Sequence, residues 1–102
     1  MENALFDALA EPNRRRLMAL LLKGERPAGD LVWALRLSQP AVSKHLKVLR
    51  EAGLVEARVD GQRRMYRLRP EPLAELERWL DPYRRFWGGK LDALEHHLDK
   101  GS

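Results

Sequence analysis

Residues 38–50, Ser38-Gln39-Pro40-Ala41-Val42-Ser43-Lys44-His45-Leu46-Lys47-Val48-Leu49-Arg50, restrict the fold more than any other stretch of this 102-residue chain. Val42, Leu46 and Leu49 recur at spacings of four and three, the period of one helix face. Gln39, Ser43, Lys44, Lys47 and Arg50 cover the remaining surface, and no acidic residue occurs before Glu51. Ser38 is placed to cap the helix, because its hydroxyl can accept a free backbone N–H of the first turn. Pro40 is tolerated there, where no intrahelical N–H is lost. Gly53 follows at the other end, where helices often stop in a left-handed conformation. A helix presenting amides, hydroxyls and cations suits a polyanion, and the expectation is that it enters a DNA major groove.

The preceding residues supply the partner helices. Residues 3–9 read as a short helix with Leu5, Phe6 and Leu9 on one side, broken by Glu11-Pro12-Asn13. Pro12 or Asn13 opens a second helix to about Lys23, stopped by Gly24, with Leu17, Leu20 and Leu21 as its buried stripe. Arg14-Arg15-Arg16 reads first as a solvated helix face and second as a phosphate contact. Arg26-Pro27-Ala28-Gly29 is a connector, and residues 28–35 form a third helix with Leu31, Ala34 and Leu35 inward. Trp33 fits either a half-buried surface position or a contact with another subunit. Arg36-Leu37 then links tightly into Ser38. Two short helices so joined, the second with the polar face, form the helix-turn-helix pattern.

After Gly53 the period changes. Residues 54–59 alternate loosely and favour strand, and Asp60-Gly61 is a dipeptide preferred by type I′ turns, in which both central residues have positive φ. Residues 62–68 alternate again, with Tyr66 and Leu68 on one face and Arg63 and Arg67 on the other. This predicts a two-stranded hairpin, a wing. Pro70-Glu71-Pro72 ends it and opens a long helical region in which Leu73, Leu76, Leu80, Tyr83, Trp87, Leu91, Leu94 and Leu98 follow spacings of three and four. Asp81-Pro82 predicts either one kinked helix or two helices meeting there, and Gly88-Gly89 weakens the next turns. The aromatic stripe, widened by Trp79 and Phe86, is too large for one small domain to bury alone. With Leu5 and Phe6 it reads as a dimer interface, ahead of the alternative of an apolar ligand pocket.

Charge narrows the partner. Residues 36–69 hold nine Lys/Arg against three Asp/Glu, a net of +6 within a chain of net charge +4. A single-sign field around the polar helix steers an anionic partner. The absence of cysteine excludes disulfides and thiolate metal sites and fits the cytoplasm. No apolar run approaches a membrane span, and Glu2 and Asp7 stand where a leader would be positive. His96-His97 are neighbours whose rings leave a helix about 100° apart, so a physiological metal site is not expected. No phosphate loop or activated nucleophile is evident, so no enzyme and no cofactor is expected.

The string from Leu5-Phe6-Asp7-Ala8-Leu9-Ala10-Glu11-Pro12-Asn13 through Ser38-Gln39-Pro40-Ala41-Val42-Ser43-Lys44-His45-Leu46 to Gly53-Leu54-Val55 resembles the ArsR-type family of bacterial winged-helix repressors. Residues 80–87, Leu80-Asp81-Pro82-Tyr83-Arg84-Arg85-Phe86-Trp87, resemble a subgroup without metal ligands. The resemblance implies a mostly α winged helix-turn-helix domain over residues 1–102. Residues 28–53 would be the helix-turn-helix, 54–69 the wing, and 1–10 with 71–100 the helices of a homodimer on a double-stranded DNA operator. Carried over by position, the family's base and phosphate contacts fall on Gln39, Pro40, Ser43 and Lys44, with His45 and Lys47 adjacent, and on Arg63 and Arg64 of the wing; Ser38, the cap, is expected at the DNA beside them. The dimer contacts fall on Leu5, Phe6, Leu80, Tyr83, Trp87, Leu91 and Leu94. Metal-sensing members carry paired cysteines where this chain has Pro27 and Gly29; a second family metal site would need histidines where Tyr83 and Leu94 stand beside Asp81. Release would then come from an unidentified small molecule or partner protein, or from dilution. The alternative function is a winged-helix module whose basic surface binds an acidic protein.

Overall fold

Every helix in front of the wing gives its apolar stripe to one shared core. The computed structural model describes the backbone of residues 3–101 and the side chains of residues 4–88. The elements run α1 (Asn3–Ala10), α2 (Pro12–Leu22), β1 (Arg26–Pro27), α3 (Ala28–Leu35), α4 (Gln39–Glu51), β2 (Val55–Asp60), β3 (Arg63–Leu68) and α5 (Leu73–Gly101). Leu5 and Ala8 of α1, Leu17 and Leu21 of α2, Leu31 and Leu35 of α3, and Val42, Leu46 and Leu49 of α4 converge with Leu54, Val55 and Tyr66. Each pair or triplet is three or four residues apart, as one helix face requires. The expected inward positions hold with two adjustments: Leu20 is only half-buried and Ala34 is exposed.

Helix ends follow local chemistry. Glu11 caps α2, accepting the Arg14 backbone N–H on its carboxylate at 3.0 Å, and Pro12 occupies the first turn. In the arginine cluster after it Arg16 stays on the solvated face, donating to Asn13 Oδ1 at 2.9 Å, while Arg14 and Arg15 reach back to α1. Arg14 donates through Nε to the Ala8 carbonyl and through Nη2 to that of Asp7, both at 2.8 Å; Arg15 donates to Leu9 O at 2.6 Å. The two guanidiniums thus satisfy carbonyls at the end of α1 and sit at its negative dipole end.

The link between α3 and α4 turns on Arg36, which has φ 57° and ψ 38° and donates its N–H to Val32 O at 3.0 Å. It is the sole non-glycine at positive φ among the described residues. A side chain in this left-handed conformation costs about 1–2 kcal/mol, part of which glycine would give back through its larger unfolded-state entropy. Since Arg36 is exposed, Arg36→Gly is expected to stabilise the protein by about 0.5–1 kcal/mol. Chemical denaturation checks this, and a lowered midpoint would contradict it.

The sheet has three strands in the order β1-β3-β2, all antiparallel, where the sequence predicts a two-stranded hairpin. Arg26 and Pro27, read as a connector, pair with Tyr66 and Met65. Two residues carry no alternation to detect, and proline is compatible with an edge strand. In the hairpin, Asp60 pairs with Arg63, so the loop is Gly61-Gln62 and not Asp60-Gly61. Gly61 alone has positive φ, 66°, as in a type II′ turn.

Helix α5 continues through Pro82 as one helix. The carbonyl that loses its intrahelical donor is that of Arg78, an exposed residue, so water can satisfy it. On its exposed flank Phe6 of α1 meets Trp79 edge-on at 5.4 Å between ring centroids, Trp79 meets Tyr83 at 5.0 Å, and Tyr83 meets Trp87 at 5.8 Å. Leu80 is half-buried, while Trp79, Tyr83 and Trp87 are 43–45% exposed. Leu5, expected at a dimer interface, is 3% exposed and belongs to the core of the chain itself. Leu91, Leu94, His96 and His97 lie outside the side chains described.

Candidate nucleic-acid interface

The polar face of α4 forms one wall of an open groove and the wing forms the other. Ser38 Oγ accepts the Ala41 N–H at 3.2 Å and the Ser38 carbonyl accepts the Val42 N–H at 3.0 Å, so the helix starts where its sequence predicts. At the far end Leu54 N–H donates to Leu49 O and Gly53 N–H to Arg50 O, both at 2.9 Å, with Gly53 at φ 77°. This is a Schellman arrangement, and the positive φ makes glycine the suitable residue. It also delivers Leu54 into the core and starts β2, which fixes the wing relative to α4.

The groove holds about 920 Å³; its polar lining includes Ser43, Lys44, Lys47, Arg50 and Glu51 from α4 and Glu56, Arg64, Tyr66 and Arg69 from the wing side, five cations against two carboxylates. Gln39 stands exposed at the first position of α4. Cations dominate its rim. Among the described residues Lys44, Lys47, Arg50 and Arg64 form no ion pair. Arg69 is shared between Glu56 at 3.7 Å and Glu71 at 3.6 Å. Arg50 was read only as part of the polar helix face and Arg69 was not singled out by sequence reasoning, although both fall inside the basic stretch 36–69 that pointed to this surface.

The two wing arginines part company. Val59 pairs with Arg64 and Asp60 with Arg63, so consecutive side chains take opposite faces of the sheet. Arg64 shares the groove side with Tyr66. Arg63 lies on the other face, 3.6 Å from Asp60. That outer face is largely neutralised. Arg58 grips Glu25 through Nε at 3.0 Å and Nη2 at 2.5 Å, and Arg67 bonds Glu56. The hydrogen bond from Arg58, reinforced by its charge, holds the Glu25 carboxyl below its ordinary pKa.

His45 departs from its expected place. Successive residues turn about 100°, so its ring leaves α4 about 160° from Ser43 and from Lys47. Its side chain is 16% exposed and points at α2, with Nδ1 3.4 Å from Arg14 Nη1 and Nε2 3.9 Å from Glu11 Oε2. Pro40, Ser43, Lys44, Lys47 and Arg64 are brought to one groove, and Ser38 and Gln39 are exposed at the start of the same helix; His45 and Arg63 face elsewhere.

Comparison with known proteins agrees with this arrangement. Residues 11–57 match the family described as bacterial regulatory protein, arsR family. Over 94 residues the chain is 43% identical to the HTH-type transcriptional regulator Rv2034 of Mycobacterium tuberculosis, covering 92% of this chain and 85% of that one. The chain belongs to the arsR family. It is 42% identical to the arsenic resistance transcriptional regulator ArsR1 of Pseudomonas putida, over 92% of this chain and 69% of the relative. The crystal structure of the transcriptional repressor BigR from Xylella fastidiosa superposes with a TM-score of 0.64 at 36% identity, over 76% of this chain and 79% of that one. As an arsR-family member with a winged helix-turn-helix fold, the protein is a DNA-binding transcriptional regulator and not an enzyme.

The donor set here does not fit a thiolate-bound metal or metalloid, because the chain has no cysteine. Among the described residues, no three His, Asp or Glu side chains cluster as a metal would require. Nor is any helix of the described residues long and apolar enough to cross a membrane.

Proposed function

We propose that this protein is a cytoplasmic homodimeric repressor that covers a pseudo-palindromic promoter operator and blocks polymerase. In this reading residues 1–102 act as one winged helix-turn-helix unit. The observation that carries it is the groove between α4 and the wing, where Lys44, Lys47, Arg50 and Arg64, without an ion pair among the described residues, outnumber the carboxylates Glu51 and Glu56. A helix about 10–12 Å across with its side chains suits a major groove about 12 Å wide. Gln39 would read a base edge, since its amide can pair bidentately with adenine. Ser38, Pro40, Ser43 and Lys44 would line the base and phosphate contacts beside it. Lys47 and Arg64 would neutralise phosphates, and Arg63 would reach only the duplex flank. Phe6, Leu80, Tyr83 and Trp87 would form the dimer seam, placing two copies of α4 about 34–36 Å apart, one turn of DNA. Without cysteine, release would come from a small molecule or partner protein and not from a thiolate-bound metal.

Selection of bound duplexes from genomic DNA supplies the cognate site, and salt titrations on it test the reading. The logarithm of the binding constant should fall with log salt by about 0.9 per phosphate contacted. Gln39→Ala is expected to lose about 1–3 kcal/mol on the cognate site and to relax preference at one base position. Lys47→Ala should lower the salt slope by about one without changing preference. If the protein binds no DNA at low salt, the basic surface serves an acidic protein instead.

A further inference from the structure

Close packing of the apolar stripe Val42, Leu46 and Leu49 sets which face of α4 turns inward, and directional hydrogen bonds can hold its fine rotation. A directional tie exists at the margin of that stripe, where His45 leaves α4 about 40° from Leu49 and about 60° from Val42. Arg14 donates three side-chain hydrogen bonds: two to the Ala8 and Asp7 carbonyls of α1, and one from Nη1 to His45 Nδ1 on α4. A guanidinium has donors only, so Nδ1 must accept and the ring proton resides on Nε2, the nitrogen facing Glu11. The same Glu11 carboxylate caps α2 through the Arg14 backbone N–H. One planar side chain therefore joins the ends of α1 and α2 to the middle of α4. Helix α1 in turn carries Phe6, which rests on Trp79 of α5.

We infer that His45 is a positioning residue of the DNA reader: held by Arg14, it fixes the rotation of α4 against the α1–α2 corner and so aims Gln39, Ser43 and Lys47. The inference rests on the DNA-reading role proposed above. It assigns a function to a histidine that faces away from the groove. It also predicts that arginine at position 14 cannot be exchanged for lysine, whose single ammonium cannot span two carbonyls and a ring in fixed geometry.

The test uses full-length protein, a duplex of about 30 bp selected by the wild type, and a scrambled duplex of the same composition. His45→Leu should weaken the selected duplex about tenfold and the scrambled one less than about twofold, with an unchanged salt slope. His45→Asn, whose Oδ1 can accept in place of Nδ1, should restore most of the loss. Arg14→Lys should reproduce it, which keeps the test available if His45→Leu does not fold. Three results overturn the inference: equal losses on both duplexes with the slope reduced by about one, which marks a direct phosphate contact; a lower melting temperature with unaltered affinity of the folded protein; or no change. If the wild type selects no duplex at low salt, the DNA-reading role itself fails and the inference falls with it.

Discussion

Replacing Trp87 with glutamate is expected to yield a folded monomer that has lost operator binding. Trp87 ends a ladder of rings that begins at Phe6 and passes through Trp79 and Tyr83, with three of its members nearly half exposed. A tryptophan or tyrosine buries about 150–250 Å² when covered, so a second copy of the ladder is its natural cover in the proposed dimer. A carboxylate placed in that seam would be desolvated without a partner, which dimerisation does not tolerate. Loss of the second reader removes the avidity of two linked half-sites, so operator affinity should fall by about 100-fold or more. Sedimentation and operator titration on the same preparation measure both effects. A variant that sediments as a dimer would remove Trp87 from the interface.

A second large effect is expected from Leu49→Ala. Leu49 is fully buried beneath α4, and its carbonyl accepts the Leu54 N–H that closes the helix. Removing its isobutyl group leaves a cavity that a close-packed core fills incompletely, at a cost of about 2–5 kcal/mol. Against a total of about 5–15 kcal/mol for a domain of this size, that is a major fraction. The melting temperature should drop by about 10–25 °C, measured at a fixed protein concentration so that dimerisation does not shift it. A loss below about 1 kcal/mol would mean that the surrounding leucines close over the gap.

Much of this fold is legible because its signals are short in sequence. The Ser38 cap, the Gly53 stop and the 42–46–49 stripe each depend on residues within one or two turns, and all three stand where expected. The hairpin was visible too, but its loop moved by one residue. Turn identity depends on which residues pair across the strands, and Asp60 pairs with Arg63. Strand β1 was invisible because its two residues find their partners some 40 positions away. Pro82 left one helix or two equally open until the continuous backbone of α5 decided between them.

The candidate site divides along the same line. The amphipathic helix, its companion across Arg36-Leu37, the basic stretch 36–69 and the lack of thiolates are properties of the chain alone. They follow from the helix period, from capping within a few residues and from composition, none of which requires knowledge of distant contacts. Only the tertiary structure decided the roles of side chains that composition cannot tell apart. Arg14 and Arg15 became caps of α1, Arg63 turned outward to Asp60 while Arg64 faced the groove, and His45 turned inward to Arg14. The partners of these long polar side chains lie on other elements, up to 31 residues away in the case of Arg14 and His45. Their orientation is settled by which carbonyl, carboxylate or ring the packed helices bring within hydrogen-bonding reach.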